Sequence, residues 1–420
     1  GYTNFKKNVK ASLSKMNAIG EELERNIRRA KSMLKQVFIP GMFFEDMGIT
    51  YLGPIDGHNI EALTEVIEDA KQVEGAVLIH VITEKGKGYE PAQLHPESYH
   101  GVGPFIKKNG MAKKPKEEAT YTDIFAKTIC ELAQTHEKLV TITAAMMDGC
   151  GLKGFAKRFP DRFFDVGIAE EHAVSMAGGL AKQGMVPVAA IYSTFLQRSY
   201  DMILQDVSML KLHVVLAVDR AGLVGEDGET HHGAFDVGFL RQAPDMKILS
   251  PASLAELREM LIWAVEGQKG PVAVRYPRGG DRGYSDSRWD SRSGSLVCHK
   301  KGEKIAILTY GILINNVLEA EKLLSAGGIH AGVYRLTMPW PLDGQALRDA
   351  FAGYDRVIFV EEALHGAGIG EAVGAILGEK TVCRDLGSAY VPHGSLEALY
   401  RRQGLDPESI AALAREVLEA

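Results

Sequence analysis

The sequence predicts an α/β protein made of three consecutive α/β units with mainly parallel sheets. Continuous apolar runs such as AVLIHVI (76–82) are typical of parallel strands that are buried on both faces. Helical patterns alternate with such runs along the chain, as they do in βαβ units. The length of 420 residues is consistent with about three domains. Two polar stretches, at 107–120 and 279–295, are predicted to link the units.

The first unit is expected to open with a helix over Met16–Val37, where apolar residues recur at helical spacing. Its many Lys and Arg residues fit a solvated helix face better than an anionic partner, because the charges are spread around the helix. A turn-rich loop at 51–59 and a helix near Ile60–Ala70 follow. The strand at 76–82 then ends in a glycine-rich loop, TEKGKGYEPA.

Apolar runs predict the strands of the other two units. In the middle unit they are expected near Leu139–Thr143, Phe163–Ile168, Val186–Ile191, Val214–Asp219 and Val272–Arg275. In the third unit they are expected near Ile305–Gly311, His330–Arg335, Arg356–Val360 and Thr381–Asp385. Helical patterns between these runs complete the α/β alternation.

The composition argues against a nucleic-acid-binding or membrane protein. The net charge is −6, and no apolar run approaches the ~20 residues of a membrane span. No signal peptide is evident, and the four cysteines form no CxxC pair, as expected for reduced thiols in the cytoplasm. Because the chain begins at Gly1 rather than at Met, we expect it to be a fragment.

Glu170, Glu171 and His172 follow the second strand of the middle unit. Ligands bind at the carboxyl ends of parallel strands, so this position is a candidate site. A carboxylate in the first turn of a helix is favoured by the helix dipole, which by itself would explain both glutamates. However, the small and apolar residues that follow predict a buried helix and therefore one buried glutamate. Buried carboxylates need partners and are common where chemistry is done.

Three other strand ends of the middle unit carry aromatic, basic and histidine side chains. They lead to YSTFLQRSYD (192–201), DRAGLVGEDGETHHGAFD (219–236) and YPRGG (276–280). Taken singly, Arg220 and Arg278 could form ordinary surface ion pairs, and Phe195 could be a core residue. The adjacent pair His231–His232 lacks metal-chelating spacing, and no metal site is predicted. Together these residues indicate an enzyme acting on a small phosphorylated compound.

Several of these motifs resemble those of the 1-deoxy-D-xylulose-5-phosphate synthases, a family of thiamine-diphosphate-dependent, transketolase-like enzymes. The segments are YLGPIDGHN, KGKGYEPA, YHGVGPF, TAAMMDGCGL, DVGIAEEHAV, AIYSTFLQRSYDMILQDV, DRAGLVGEDGETHHGAFD and VRYPRG. The resemblance implies a thiamine-diphosphate-binding fold pair followed by a transketolase C-terminal-like domain. It places the remainder of the diphosphate-binding domain plus a linker at 1–117, the pyrimidine-binding domain at 118–282 and the C-terminal-like domain at 283–420.

The resemblance also implies residue roles. Glu170 corresponds to the catalytic glutamate that contacts N1′ of the cofactor's aminopyrimidine, while Glu171 is an ordinary first-turn carboxylate. Phe195 resembles the ring that stacks on the aminopyrimidine, and Tyr89 resembles a residue beside the cofactor. His100 and His231 resemble catalytic histidines that line the substrate channel. The residues that resemble those receiving glyceraldehyde 3-phosphate are Tyr192, Arg198, Arg220, Asp227 and Arg278.

The implied reaction condenses pyruvate with glyceraldehyde 3-phosphate, with loss of CO₂, to give 1-deoxy-D-xylulose 5-phosphate for isoprenoid, thiamine and pyridoxal precursor synthesis. The implied cofactors are thiamine diphosphate and Mg²⁺, and a homodimer is expected. The family holds Mg²⁺ through a GDG motif followed by an asparagine. This sequence lacks that motif, and the string GEDGET (225–230) belongs to a different loop. We therefore expect the metal ligands in a missing N-terminal segment, either removed or on a separate chain. The segment at 360–373 follows the family's glycine-rich helix start only loosely.

Two other interpretations compete with this one. The chain could be a transketolase or a 2-oxo acid dehydrogenase β-like subunit that completes its site with a partner chain. It could also be a non-catalytic half that serves as a binding or scaffold protein. A scaffold protein would not need a set of catalytic and phosphate-binding side chains. The sequence contains such a set, which argues against this interpretation: Glu170, His231, Arg220 and Arg278.

Overall fold

The computed structural model describes residues 42–103, 105–108, 110, 118–266, 268–291 and 294–419. The helix predicted over Met16–Val37 lies outside these residues. The chain divides into two compact units, Gly1–Lys114 and Pro115–Ala420. None of the helices in the described part of the chain is long and apolar enough to cross a membrane.

The described part of the first unit contains a two-stranded parallel sheet and three short helices. Its elements are α1 (Met42–Asp46), β1 (Thr50–Asp56), α2 (Ile60–Lys71), β2 (Val77–Ile82) and α3 (Glu90–Leu94). The helix near 60–70 is thereby confirmed as α2, whose first turn is capped by the Asn59 side chain. The expectation that the strand at 76–82 is buried on both faces is wrong for the described residues. Ile82 is 54% exposed, since β1 is the only strand that pairs with β2 there.

The middle unit contains a six-stranded parallel sheet with the order β4-β3-β5-β6-β8-β7. Its strands are β3 (Leu139–Thr143), β4 (Phe163–Asp165), β5 (Val186–Tyr192), β6 (Val215–Asp219), β7 (Lys247–Leu249) and β8 (Val272–Arg275). The five predicted strands are confirmed in place, but β4 ends earlier than expected. The Asp165 carboxylate accepts hydrogen bonds from the backbone N–H groups of Ala145 and Gly167, which turns the chain out of the sheet. The three-residue strand β7 is too short to leave a sequence pattern.

Helices pack against this sheet and place the strand ends. They are α4 (Tyr121–Thr135), α5 (Lys153–Arg158), α6 (Glu170–Lys182), α7 (Ser193–Leu196), α8 (Tyr200–Met202), α9 (Asp236–Leu240) and α10 (Leu254–Val265). A π-helical turn at Ile203–Ser208 packs against α6, and α4 packs against α10. The buried residues of α6 include Ala173, Val174 and Ala177, as the small-residue pattern predicted.

The third unit contains a five-stranded sheet with the order β13-β12-β10-β11-β9. Its strands are β9 (Leu296–Lys300), β10 (Ile305–Tyr310), β11 (Gly332–Leu336), β12 (Arg356–Val360) and β13 (Thr381–Arg384). Its helices are α11 (Ile314–Ala326), α12 (Gly344–Phe351), α13 (Gly370–Leu377), α14 (Leu396–Gln403) and α15 (Pro407–Glu419). The four predicted strands are confirmed, whereas β9 is an antiparallel edge strand at the end of the predicted linker.

One apolar core joins the middle and third sheets. It includes Ala217 and Val274 from the middle sheet together with Leu308, Leu336 and Phe359 from the third. This shared core is the reason that residues 115–420 form a single compact unit. The predicted domain boundaries at 117/118 and 282/283 stay predictions.

Candidate functional site

Glu170 is the first residue of α6, and its side chain is only 2% exposed. The Ala169 side chain does not cap this helix, and the positive end of the helix dipole favours a carboxylate in its first turn. The next residue, Glu171, is exposed. The two adjacent glutamates therefore differ in environment, and only Glu170 has the burial expected of a functional carboxylate.

Arg198 is the hydrogen-bonding partner of Glu170. Its Nη1 donates to Glu170 Oε1 at 2.7 Å, and the Arg198 side chain remains 45% exposed. The guanidinium also lies 5.0 Å from the centre of the Phe195 ring. Phe195 in turn stacks on Tyr192, with ring centres 5.8 Å apart and an interplanar angle of 19°. A buried carboxylate, a cation and two stacked rings thus lie side by side at the ends of β4 and β5.

Arg220 follows β6 and is held by three neighbours. Its guanidinium lies 3.7 Å from the centre of the Tyr192 ring. Arg220 Nη1 donates to the Gly149 carbonyl at 3.0 Å and lies 3.4 Å from Asp219 Oδ1. Asp219 is fully buried, and burial raises the pKa of its carboxyl to about 6, although Arg220 and the Thr122 hydroxyl act to lower it.

Arg278 and Asp227 form an ion pair beyond the end of β8. Arg278 Nη1 donates to Asp227 Oδ2 at 3.0 Å and to the Val224 carbonyl at 3.2 Å. Both side chains are more than a third exposed, at 43% and 35%, so they remain accessible to a ligand. His231 belongs to the same loop, and its ring packs edge-on against Phe195 with centres 5.4 Å apart.

A chain of contacts runs from Glu170 through Arg198, Phe195 and Tyr192 to Arg220. Asp227 and Arg278 form a separate ion pair in the loops after β6 and β8. Arg198, predicted among the substrate ligands, forms its ion pair with Glu170. Its role as a substrate ligand stays a prediction.

Tyr89 and His100 lie in the first unit. The Tyr89 ring packs edge-on against Tyr99, and its hydroxyl donates to the Lys107 carbonyl at 2.9 Å. His100 Nδ1 lies 3.2 Å from Lys85 Nζ. Their predicted roles beside the cofactor and in the substrate channel stay predictions.

Several residues that shape the site were not identified from the sequence. Asp219, Thr122 and Gly149 support Arg220, and the buried Glu362 holds the loop that follows it, together with His232, which the sequence analysis had singled out. Asp219 could have been singled out, because it is the charged residue that ends the apolar run of β6. Nothing in the local pattern identified Glu362, whose contact is 139 residues away along the chain. Among the described residues, no group of three or more His, Cys, Asp or Glu side chains is placed to hold a metal ion.

Family models match three parts of the chain. Residues 1–83 match 1-deoxy-D-xylulose-5-phosphate synthase, residues 117–281 match the transketolase pyrimidine-binding domain, and residues 294–410 match the transketolase C-terminal domain. The 1-deoxy-D-xylulose-5-phosphate synthase of Caldanaerobacter subterraneus is 44% identical over 418 residues, covering 98% of this chain and 67% of the relative. The chain belongs to the 1-deoxy-D-xylulose-5-phosphate synthase family. It is therefore related to thiamine-diphosphate-dependent transferases.

A second relative supports this assignment, and two solved structures share the fold. The synthase of Clostridium acetobutylicum is 46% identical over 419 residues, covering 97% of this chain and 67% of that protein. The chain thus spans about two thirds of the length of these synthases. A split-gene transketolase, described as an inactive β4 tetramer, matches with a TM-score of 0.62 and 30% identity, covering 71% of this chain and 98% of its own. Transketolase of Pichia stipitis matches with the same TM-score at 15% identity, covering 72% of this chain and 46% of its own, which shows a shared fold.

Proposed function

We propose that this synthase-family chain takes part in condensing pyruvate with glyceraldehyde 3-phosphate, with loss of CO₂, to give 1-deoxy-D-xylulose 5-phosphate. The buried Glu170 carboxylate at the start of α6 carries the proposal. Arg198 lies between the two groups: it donates a hydrogen bond to Glu170 and contacts the Phe195 ring. A carboxyl group that can exchange a proton with a ring nitrogen, close to an aromatic face that can stack, suits an aminopyrimidine ring.

These residues fit the pyrimidine half of thiamine diphosphate. Glu170 would hold a proton at ring atom N1′, and Phe195 would pack against the ring. When bound, the cofactor supplies the carbanion chemistry of decarboxylation and carbon–carbon bond formation. The described residues supply no metal cluster, so we propose that Mg²⁺ and the diphosphate are held by residues outside the described set.

The substrate end of the site suits a phosphorylated aldehyde. Arg220 and Arg278 offer guanidinium groups, which bind phosphate with paired, charge-assisted hydrogen bonds. Asp227 and Tyr192 lie beside them and can accept or donate hydrogen bonds to substrate hydroxyls. His231, whose ring packs against Phe195, would exchange a proton with a substrate oxygen. We further propose that the protein acts as a homodimer in the cytoplasm.

Glu170→Gln tests the proposal, with Glu171→Gln as the matched control on the adjacent, exposed position. Activity is measured with a complete diphosphate-binding domain supplied in the same chain or as a separate one. We expect Glu170→Gln to lower kcat by about a hundredfold or more, since an amide cannot exchange the proton. Glu171→Gln should leave kcat within about twofold, because an exposed first-turn charge contributes little. A kcat near wild type in the folded Glu170→Gln protein would remove this glutamate from the mechanism.

A further inference from the structure

Two adjacent glutamates follow β12 in the third unit, and the proposed chemistry uses neither. Glu361 is 4% exposed and Glu362 is 6% exposed. Carboxylates buried to this degree need hydrogen-bonding partners. The hydrogen-bonding partners of the two residues lie in different parts of the molecule. The two residues therefore have different structural roles.

Glu361 acts within the third unit. Its carboxylate accepts hydrogen bonds from the backbone N–H groups of Ile369 and Gly370, at 3.0 and 2.9 Å, and from the Tyr310 hydroxyl at 3.0 Å. Glu361 therefore occupies the anion position at the start of α13, which a phosphate takes in nucleotide-binding domains. At the glycine-rich start of this helix, the protein's own carboxylate thus stands in place of a ligand anion.

Glu362 reaches into the middle unit. Its Oε1 accepts a hydrogen bond from the backbone N–H of Leu223 at 3.1 Å and another from the Tyr400 hydroxyl at 2.9 Å. The carboxylate also packs against Gly222, where an added Cβ would lie 2.8 Å from Glu362 Oε2. Gly222 has a φ of +80°, so both its space and its backbone conformation require glycine. These contacts fall two and three residues after Arg220.

We name residues 220–236 the substrate loop, because it contains Arg220, Asp227 and His231. Further contacts tie this loop to the third unit: Leu364 N donates to Ala234 O at 3.2 Å, Gly394 N donates to Gly225 O at 3.4 Å, and His232 Nε2 lies 3.2 Å from Pro392 O. The loop is therefore attached to the third unit along its length.

The protonation state of His232 follows from its hydrogen bonds. Its Nδ1 accepts from the Val224 backbone N–H at 3.1 Å, so Nδ1 carries no proton. The proton then lies on Nε2, which donates to the Pro392 carbonyl. His232 thus joins two backbone segments, one in the middle unit and one in the third.

We propose that the third unit holds the substrate loop in its binding conformation, and that Glu362 is the positioning residue that fixes the loop next to Arg220. The proposal rests on the function proposed above for Arg220, Asp227 and His231. It assigns a purpose to the segment at 360–373, which follows the family pattern only loosely. Glu361 orders the helix start, and Glu362 orders the loop.

The test compares Glu362→Ala with Glu361→Ala, two truncations of adjacent and equally buried carboxylates. Amide hydrogen exchange is measured across the full chain. Glu362→Ala should speed exchange in residues 221–234 by about tenfold or more, because Leu223 N–H loses its acceptor. Glu361→Ala should confine faster exchange to the start of α13. Glu362→Gln keeps an acceptor oxygen and should restore protection of the loop.

Kinetics with a complete diphosphate-binding domain then test the link to substrate. Glu362→Ala should raise the KM for glyceraldehyde 3-phosphate by about ten- to hundredfold, since small misplacements of binding groups have effects of this size. The KM for pyruvate should change much less. Glu362→Asp withdraws the carboxylate by one methylene while keeping its charge. This variant replaces Glu362→Ala in both measurements if the alanine variant does not fold.

Unchanged loop exchange in folded Glu362→Ala, or in Glu362→Asp where the alanine variant does not fold, would overturn the proposal, as would an equal acceleration of loop exchange in Glu361→Ala. Faster loop exchange with an unchanged KM for the aldehyde would instead support the attachment of the loop by Glu362. That result would refute the substrate role of the loop and hence the proposed function of its residues.

Discussion

Arg220 has a backbone φ of +60°, which lies in the left-handed region that side-chain-bearing residues rarely adopt. Such a conformation costs about 1–2 kcal/mol, and it persists only where surrounding contacts over-determine it. Tyr192, Gly149 and Asp219 provide those contacts. The strained backbone thus directs the Arg220 guanidinium over the Tyr192 ring, at the end of the site proposed to bind substrate.

At this scale we predict the effect of removing either arginine. Arg220→Ala or Arg278→Ala should remove charge-assisted hydrogen bonds that contribute roughly 1.5–3 kcal/mol. This corresponds to about ten- to hundredfold in kcat/KM for glyceraldehyde 3-phosphate. The KM for pyruvate should change much less.

The unphosphorylated aldehyde is the control, since it never makes the lost contact. Steady-state kinetics with both aldehydes should show little change for D-glyceraldehyde in either variant. Equal losses for the two aldehydes would mean that the arginines hold the fold or the cofactor, and the phosphate assignment would have to be withdrawn.

Among the secondary-structure elements, α6 connects sequence pattern to site geometry most directly. Its small residues allow the helix to approach the π-helical turn Ile203–Ser208 closely. An added Cβ at Gly178 would lie 2.6 Å from the Asp206 carbonyl oxygen. The short interhelical distance explains why the segment after Glu170 is nearly free of large side chains.

Gly178→Ala and Gly179→Ala form a matched pair on this helix. We expect Gly178→Ala to lower the free energy of unfolding by about 1–3 kcal/mol, because the methyl group must displace the facing backbone. At Gly179 an added Cβ meets nothing within 4 Å, so alanine there should be neutral or stabilise by up to about 1 kcal/mol. Urea denaturation of both variants measures the difference, and equal effects would refute the close-packing explanation.

At the scale of residues 115–420, the middle and third units are joined by a buried ion pair as well as by the apolar core. Arg335 of β11 and Glu256 of α10 are both fully buried and form two hydrogen bonds, at 2.7 and 2.9 Å. Arg335 Nε also donates to His299 Nε2 at 3.3 Å. Burial and the neighbouring Arg335 lower the pKa of His299 to about 3, so the ring stays neutral and can accept this bond.

Removing one member of this pair should therefore be severe. Arg335→Met leaves the Glu256 charge buried without its partner and should lower the free energy of unfolding by about 3–5 kcal/mol. The double variant Arg335→Met/Glu256→Gln carries no unpaired charge and should recover a large part of that loss. Denaturant melts of the single and double variants give the comparison. A double variant no more stable than the single one would show that the pair contributes only through packing.

The order of the α/β units, the positions of most strands and the edge of the sheet where the candidate site lies could all be predicted from the sequence. These features follow from local periodicity and from the rule that parallel strands present their carboxyl ends at one edge. The burial of Glu170 could also be predicted, because the apolar residues after it indicate a buried helix. The short strand β7 and the antiparallel β9 could not, since their pairing partners define them more than their own residues do.

Which side chains contact each other depends on the packing of the folded chain. It paired Arg198 with Glu170, placed Arg220 over Tyr192 and brought Glu362 to Leu223 across 139 residues of chain. No local pattern encodes such contacts, because a buried carboxylate or guanidinium takes whichever partner the packed elements present to it. The physical reason is that burial makes an unpaired charge unfavourable without specifying its partner, and the partner is selected by the packing of the whole unit.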